Sequence, residues 1–169
     1  MNVKNLTENK LDRIDKAILE HLQRNARMPN VALSKAVHLS PSPCLERVKR
    51  LEKLGYIKGY NARLDADLLG VGKLAFIQVS LNRTTESEFL DFKKDALSNP
   101  HIAECHMVAG GYDYILKVRF DEMHSYRSVL EQIVKFPNVN QTNTYLVIEE
   151  VKAESEIPIG NSQSQAAYP

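Results

Sequence analysis

Residues 30–54 read NVALSKAVHLSPSPCLERVKRLEKL, and this stretch decides the fold of the N-terminal part of the chain. Asn30 is a capping residue, and Leu33 and Val37 lie four apart on one helical face, so a short helix is expected ahead of His38-Leu39-Ser40. Ser40-Pro41-Ser42-Pro43 then supplies hydroxyl caps and prolines, which a helix tolerates in its first turn because no N–H partner is lost there. The run from Cys44 to Leu54 follows as a long helix, with Leu45, Val48, Leu51 and Leu54 on one side and Gly55 placed to stop it. A short helix, a tight turn and a longer helix are the parts of a helix-turn-helix.

Upstream, Leu11, Ile14, Ile18 and Leu22, with Leu19 beside them, form one helical stripe that ends before Met28-Pro29. Downstream, residues 56–64 are β-rich with a turn glycine, which predicts a two-stranded flap. Three helices and a small β-ribbon make a winged helix-turn-helix over residues 1–64. Residues 65–72 hold two Asp and two Gly without periodicity, and the boundary between modules is expected there.

The pattern then changes. Leu74 to Leu81 alternates as a strand, and Glu86 to Leu97 carries Phe89, Phe92 and Ala96 at helical spacing. His101 to Val108 and Tyr112 to Phe120 are strands around Gly110-Gly111, glycines suited to a hairpin turn at positive φ. Met123, Tyr126, Val129, Leu130 and Ile133 predict another helix, stopped near Pro137, and residues 139–151 close the domain as a β-rich segment. The order βαββαβ over residues 73–152 is that of a ferredoxin-like fold, so the fold class is α+β. Residues 153–169, rich in Ser, Gln, Ala and Pro, read as a disordered tail.

Charge separates the same two parts. Residues 1–64 hold 13 Lys/Arg against 6 Asp/Glu, a net +7, whereas residues 65–169 have a net −6. A basic module attracts a polyanion such as double-stranded DNA, and an acidic partner domain does not compete for it. On the third helix Ser42, Glu46, Lys49, Arg50 and Lys53 share the arc opposite the leucines, with Arg47 at its edge. Placed in a major groove, that arc offers Arg and Lys to guanine edges and phosphates. The plainer alternative, a cationic solvated surface, gains from Glu46 within the arc.

Other function classes find little support. The two cysteines, Cys44 and Cys105, lie far apart, as in a reducing compartment, and the five histidines form no metal-ligating motif. No nucleophile motif or phosphate-binding loop occurs, so neither enzyme activity nor a cofactor or metal is expected. No apolar stretch is long enough to span a bilayer and the first residues do not form a secretory leader, which points to the cytoplasm.

The segments LDRIDKAILEHLQRNAR (11–27), ALSKAVHLSPSPCLERVKRLEKLGYIKGY (32–60), ECHMVAGGYDYILKV (104–118) and NTYLVIEEVK (143–152) resemble the leucine-responsive regulatory protein and asparagine regulator (Lrp/AsnC) family, most of all its leucine-responsive branch. The resemblance implies transcription control, homo-oligomers formed as dimers through the sheet domain and often assembled into octamers, and an amino-acid effector such as leucine bound between dimers. It also implies a recognition helix from Ser42 to Leu54, with Pro43 in its first turn. Carried over residue by residue, the effector pocket comprises Met107, Gly110, Gly111, Tyr112, Asp113, Met123, Thr144, Tyr145 and Val147. From the residues alone, Gly110-Gly111 expose backbone amides to a carboxylate, and Asp113 could hold an ammonium. The rival within DNA binding is a nucleoid-type architectural protein with little effector dependence. One departure is Ala109-Gly110-Gly111-Tyr112-Asp113, where leucine-responsive relatives often carry an acidic residue near Gly111.

Overall fold

The computed structural model describes residues 11–153 and 156–159. They fall into two compact units, the chain passing from the first to the second after Ala62 and returning to the first after Lys152.

The first unit is built from α1 (Arg13–Arg24), α2 (Asn30–Ala36) and α3 (Pro41–Lys53). α1 starts with a reciprocal capping box: Asp15 N–H donates to Asp12 Oδ1 at 2.7 Å, and Asp12 N–H donates to Asp15 Oδ2 at 3.1 Å. Its apolar stripe meets the core as expected, with Ile18 and Leu22 buried and Leu11 and Ile14 packed beside them. Asn30 does not cap α2. Pro29 takes the N-cap position, and Asn30 Nδ2 instead donates to the Pro41 carbonyl at 2.8 Å, tying the starts of α2 and α3 together. The turn between them is closed by Leu39 N–H to Ser34 O at 2.8 Å and places His38 at φ +56°.

α3 begins at Pro41, earlier than the predicted Cys44, because prolines in the first turn sacrifice no hydrogen bond. No side-chain hydroxyl caps it. Its buried face keeps Val48 and Leu51 of the predicted stripe but takes Cys44 in place of Leu45 and Leu54, which are 40% and 38% exposed. Cys44, Val48 and Leu51 are spaced i, i+4, i+7 and so share one helical face.

The predicted flap over residues 56–64 is not a β-ribbon. Gly59 has no positive φ and the arms are too short to hold a hairpin on their own. The segment has no regular structure and is fastened by side chains, with Ile57 packed against the core and Tyr60 Oη donating to Glu52 Oε1 at 2.8 Å. Burial first, then that carboxylate, pushes the Tyr60 phenol up to about 12. Part of the expected tail is also placed: Gln23 receives Ile157 N–H at 2.9 Å and donates to its carbonyl at 3.1 Å.

The second unit contains β1 (Lys73–Leu81), α4 (Glu86–Ser98), β2 (Ile102–Met107), β3 (Tyr114–Phe120), α5 (Met123–Val134) and β4 (Val139–Leu146). The strands form one antiparallel sheet in the order β2-β3-β1-β4, the ferredoxin-like arrangement that βαββαβ predicts. Both helices cover one face. Ala75, Ile77 and Val79 of β1 and Tyr114, Leu116 and Val118 of β3 meet Phe92 and Ala96 of α4 and Val129 and Ile133 of α5 in a single core. The final strand ends at Leu146, short of the expected 151. β1 begins at Lys73, so beyond Val147, whose N–H reaches Leu74 O at 2.9 Å, the chain has no strand to pair with. Ile148 and Val151 are accordingly exposed.

Candidate functional site

The arc of α3 proposed to face DNA divides into two kinds of residue. Ser42, Pro43, Glu46, Lys49 and Lys53 are exposed, with Lys49 and Glu46 paired loosely at 3.7 Å. Arg47 and Arg50 turn back towards α1. Arg47 Nη1 donates to Asp12 Oδ2 at 2.6 Å and to Asp15 Oδ1 at 2.8 Å, and Arg50 Nη2 donates to Asp15 Oδ2 at 2.5 Å. Asp15 has no exposed surface, and these guanidinium groups are its side-chain partners in place of water. The two acids raise Arg47's proton affinity further. Burial works to raise the Asp12 carboxyl, but the Asp15 N–H and the Arg47 guanidinium outweigh it and hold Asp12 below its ordinary value.

This bracket orients α3. Each guanidinium is a planar fork, and Arg50 remains 42% exposed, so it spans from Asp15 towards the outer face of the helix. Asp12 and Asp15 were not among the residues expected from the sequence. A signal existed: they have capping-box spacing, and Asp15 sits on the same stripe as Ile18 and Leu22, where an unpaired acid would be costly.

The nine effector candidates do not converge within one chain. Gly110, Gly111, Tyr112 and Asp113 lie in the β2–β3 loop, with Met107 just before it, and Asp113 N–H reaches Val79 O at 2.9 Å. Val147 is bonded to Leu74, and Met123 opens α5 after β3 has ended at Phe120, opposite Lys73. Leu74 and Val79 are five strand residues apart, roughly 17 Å. Tyr145 lies opposite Phe76 and is exposed, whereas Thr144 accepts a hydrogen bond from Tyr126 Oη at 2.7 Å on the helix side.

Two expectations for the loop need correcting. Neither Gly110 nor Gly111 has positive φ, because the strands are joined by a six-residue loop, 108–113, rather than a tight turn. A Cβ on either glycine would meet nothing within 4 Å. Asp113 is not simply free for a ligand: its Oδ2 accepts from Leu81 N–H at 2.7 Å, where the β1–β4 register shifts between Ser80 and Leu81. That N–H lies on the β3 side of β1, two residues past the last β1–β3 pair at Val79 and Tyr114, so no strand partner reaches it and Asp113 supplies the acceptor. Its other oxygen makes no hydrogen bond among the described residues.

Comparison with known proteins fits this architecture. Residues 11–58 match the winged helix-turn-helix DNA-binding family, and residues 74–157 match the Lrp/AsnC ligand binding domain. The leucine-responsive regulatory proteins of Klebsiella pneumoniae and Escherichia coli (strain K12) are each 47% identical over 150 residues, 88% of this chain and 92% of theirs. A transcriptional regulator from Neisseria meningitidis, solved as a complex with L-Met, shares 35% identity at a TM-score of 0.84, covering 89% of this chain and 98% of that one. Escherichia coli AsnC has the same fold at 24% identity, with a TM-score of 0.80 over 88% of this chain and 99% of its own. With both domains matched in order and the curated relatives aligned over nearly their full length, the chain belongs to the Lrp/AsnC family of transcriptional regulators.

Proposed function

We propose that this regulator reads operator DNA through the exposed arc of α3 and responds to a small apolar amino acid. The observation that carries the DNA reading is the bracket of Asp12 and Asp15 on Arg47 and Arg50, which fixes α3 while Ser42, Pro43, Glu46, Lys49 and Lys53 stay exposed. The working division is a DNA-binding domain over 1–64, a linker over 65–72, a sensing and assembly domain over 73–152 and a tail over 153–169. Homo-oligomers and a cytoplasmic, nucleoid-associated location complete the reading; no helix among the described residues is long and apolar enough to cross a membrane.

The effector is leucine or a similar side chain such as methionine. Relatives named as leucine-responsive and the relative bound to L-Met support this choice. Its site unites the loop Gly110 to Asp113 and Met107 of one subunit with Met123, Thr144, Tyr145 and Val147 of another, because these groups sit at opposite ends of a single sheet. Thermal denaturation against each of the twenty amino acids tests the sensor, since a ligand of the folded state raises the melting point by mass action. A rise confined to small apolar amino acids supports the reading; a flat response across all twenty removes it.

A further inference from the structure

On the helix side of the sheet, α4 leaves the edge strand β2 partly uncovered, and a cavity of about 400 Å³ opens between them. Paired residues in a ladder share a face. Cys105 lies opposite Leu116 and Met107 opposite Tyr114, so both project to the side on which Leu116 and Tyr114 are buried. Ala96, Leu97 and Ile102 complete an apolar wall, and Lys93 of α4 stands at the mouth with no ion pair among the described residues. Tyr114 forms the floor, stacked on Phe92 at 4.3 Å between ring centroids.

The floor carries an unmet hydrogen bond. Tyr114 is only 1% exposed, and its hydroxyl has no partner among the described residues. Native structures leave few such groups, and each calls for a reason. Cys105 and Tyr114 line the same cavity, and burial first, then Cys105 and Asp113, push the Tyr114 phenol up. The acid that lines the cavity is unavailable to it. Glu104 is one residue out of phase with Cys105, and its carboxylate is taken by Lys117 at 3.1 Å and His106 at 3.3 Å.

We propose that this recess between α4 and β2 is a second small-molecule site, which borders the proposed effector site at Met107 and takes a short apolar monocarboxylate without an ammonium group. The carboxylate meets Lys93 and accepts from the Tyr114 hydroxyl, while the hydrocarbon lies against Ala96, Leu97 and Ile102. A zwitterionic amino acid is disfavoured here, because its ammonium would meet Lys93 at the mouth and the one acid that lines the cavity, Glu104, is paired elsewhere. The volume is at the lower end of the usual range for ligand pockets, which suits a small acid.

The test uses the full chain and 4-methylpentanoate, with leucine as the zwitterionic control. Cys105 is exposed and Cys44 is buried, so maleimide labelling of the folded protein reports on Cys105. 4-Methylpentanoate should slow that labelling and shift the amide resonances of Ile102, Cys105 and Tyr114, and leucine at the same concentration should not. Lys93→Met should weaken the protection about ten-fold or more, as expected when a charge-assisted hydrogen bond is removed. Tyr114→Phe should also weaken it, yet melt no lower than wild type, because the hydroxyl removed has no partner to lose. Absence of protection, equal protection by leucine, or a Tyr114→Phe variant that melts lower and binds equally well would overturn the proposal.

Discussion

Asp15 in α1 accepts a hydrogen bond from Arg47 in α3 at 2.8 Å although its own side chain has no exposed surface. This pairing makes part of the basic helix structural. Asp15→Ala should destabilise the N-terminal unit by about 1–3 kcal/mol, less than the roughly 3–5 kcal/mol of a fully buried broken pair, because the arginines left behind are part-exposed and can turn to water. Arg47→Ala should lower the melting point and DNA affinity together. Chemical denaturation of each variant checks this, and wild-type stability in both would disprove the bracket.

Lys49 and Lys53 predict the opposite separation. Both are exposed, and neither belongs to the bracket. Alanine at both positions should leave the stability within about 0.5 kcal/mol of wild type, weaken DNA binding and reduce the dependence of log K on log salt by roughly 0.9 for each phosphate no longer neutralised. An unchanged slope would place α3 away from the DNA backbone.

The same bracket makes the N-terminal unit sensitive to acid. Asp12 titrates below its ordinary value of 3.8 in the folded chain, since the Asp15 N–H and Arg47 outweigh the upward push of burial. A lowered folded value means that the ionised carboxylate adds stability above the unfolded value, and that this is lost as pH falls through the folded one. Stability should therefore drop below about pH 4. Asp12→Asn keeps a capping side chain and removes the charge. Its stability should start lower at neutral pH and fall less on acidification. Parallel pH profiles for the two proteins would contradict this assignment.

His38 occupies the turn between α2 and α3 at φ +56°. A left-handed residue with a Cβ costs about 1 kcal/mol or more relative to glycine, partly offset by the greater freedom of glycine in the unfolded chain. His38→Gly should stabilise the unit by about 0.5 kcal/mol without altering the salt slope of DNA binding. A lower melting point would show that the imidazole contributes more than the strain removes.

The β2–β3 loop gives a clean test of the effector site. A Cβ at Gly111 meets nothing in its own chain and φ is not positive there, so Gly111→Ala should fold like wild type. Reduced amino-acid binding by that variant would then report a ligand or neighbouring subunit at the loop. Asp113→Ala would confuse the two roles, because it strips Leu81 N–H of its acceptor. Asp113→Asn retains an acceptor and removes the charge. It should weaken amino-acid binding about ten-fold or more, as removal of a charge-assisted bond implies. Unchanged binding by both variants would exclude the loop.

Much of the architecture was legible because it rests on local periodicity. Leu11, Ile14, Ile18 and Leu22 declared α1, and the sequence of alternating and helical stretches from Leu74 onward declared the sheet order. What escaped were relationships between distant residues. Nothing in the pattern of α3 shows that Arg47 and Arg50 find acids more than thirty residues upstream. Nor could alternation alone end β4 at Leu146, since that limit is set by where β1 begins. The candidate effector residues were named individually, but their division between two ends of the sheet depends on strand register, which a single sequence does not display.

If α3 binds DNA and an amino acid held by the C-terminal unit changes that binding, one measurement shows both. It is fluorescence anisotropy of the full chain on a duplex enriched from a random pool, with and without saturating leucine, for wild type and for Lys49→Ala/Lys53→Ala. Wild type should bind tightly, with a midpoint that moves by about five-fold or more with leucine, the usual scale of allosteric coupling. The double variant should bind much more weakly and with a smaller salt slope. Equal affinity of the two proteins, or a wild-type midpoint that neither leucine nor any other amino acid moves, would contradict the coupling of these two sites.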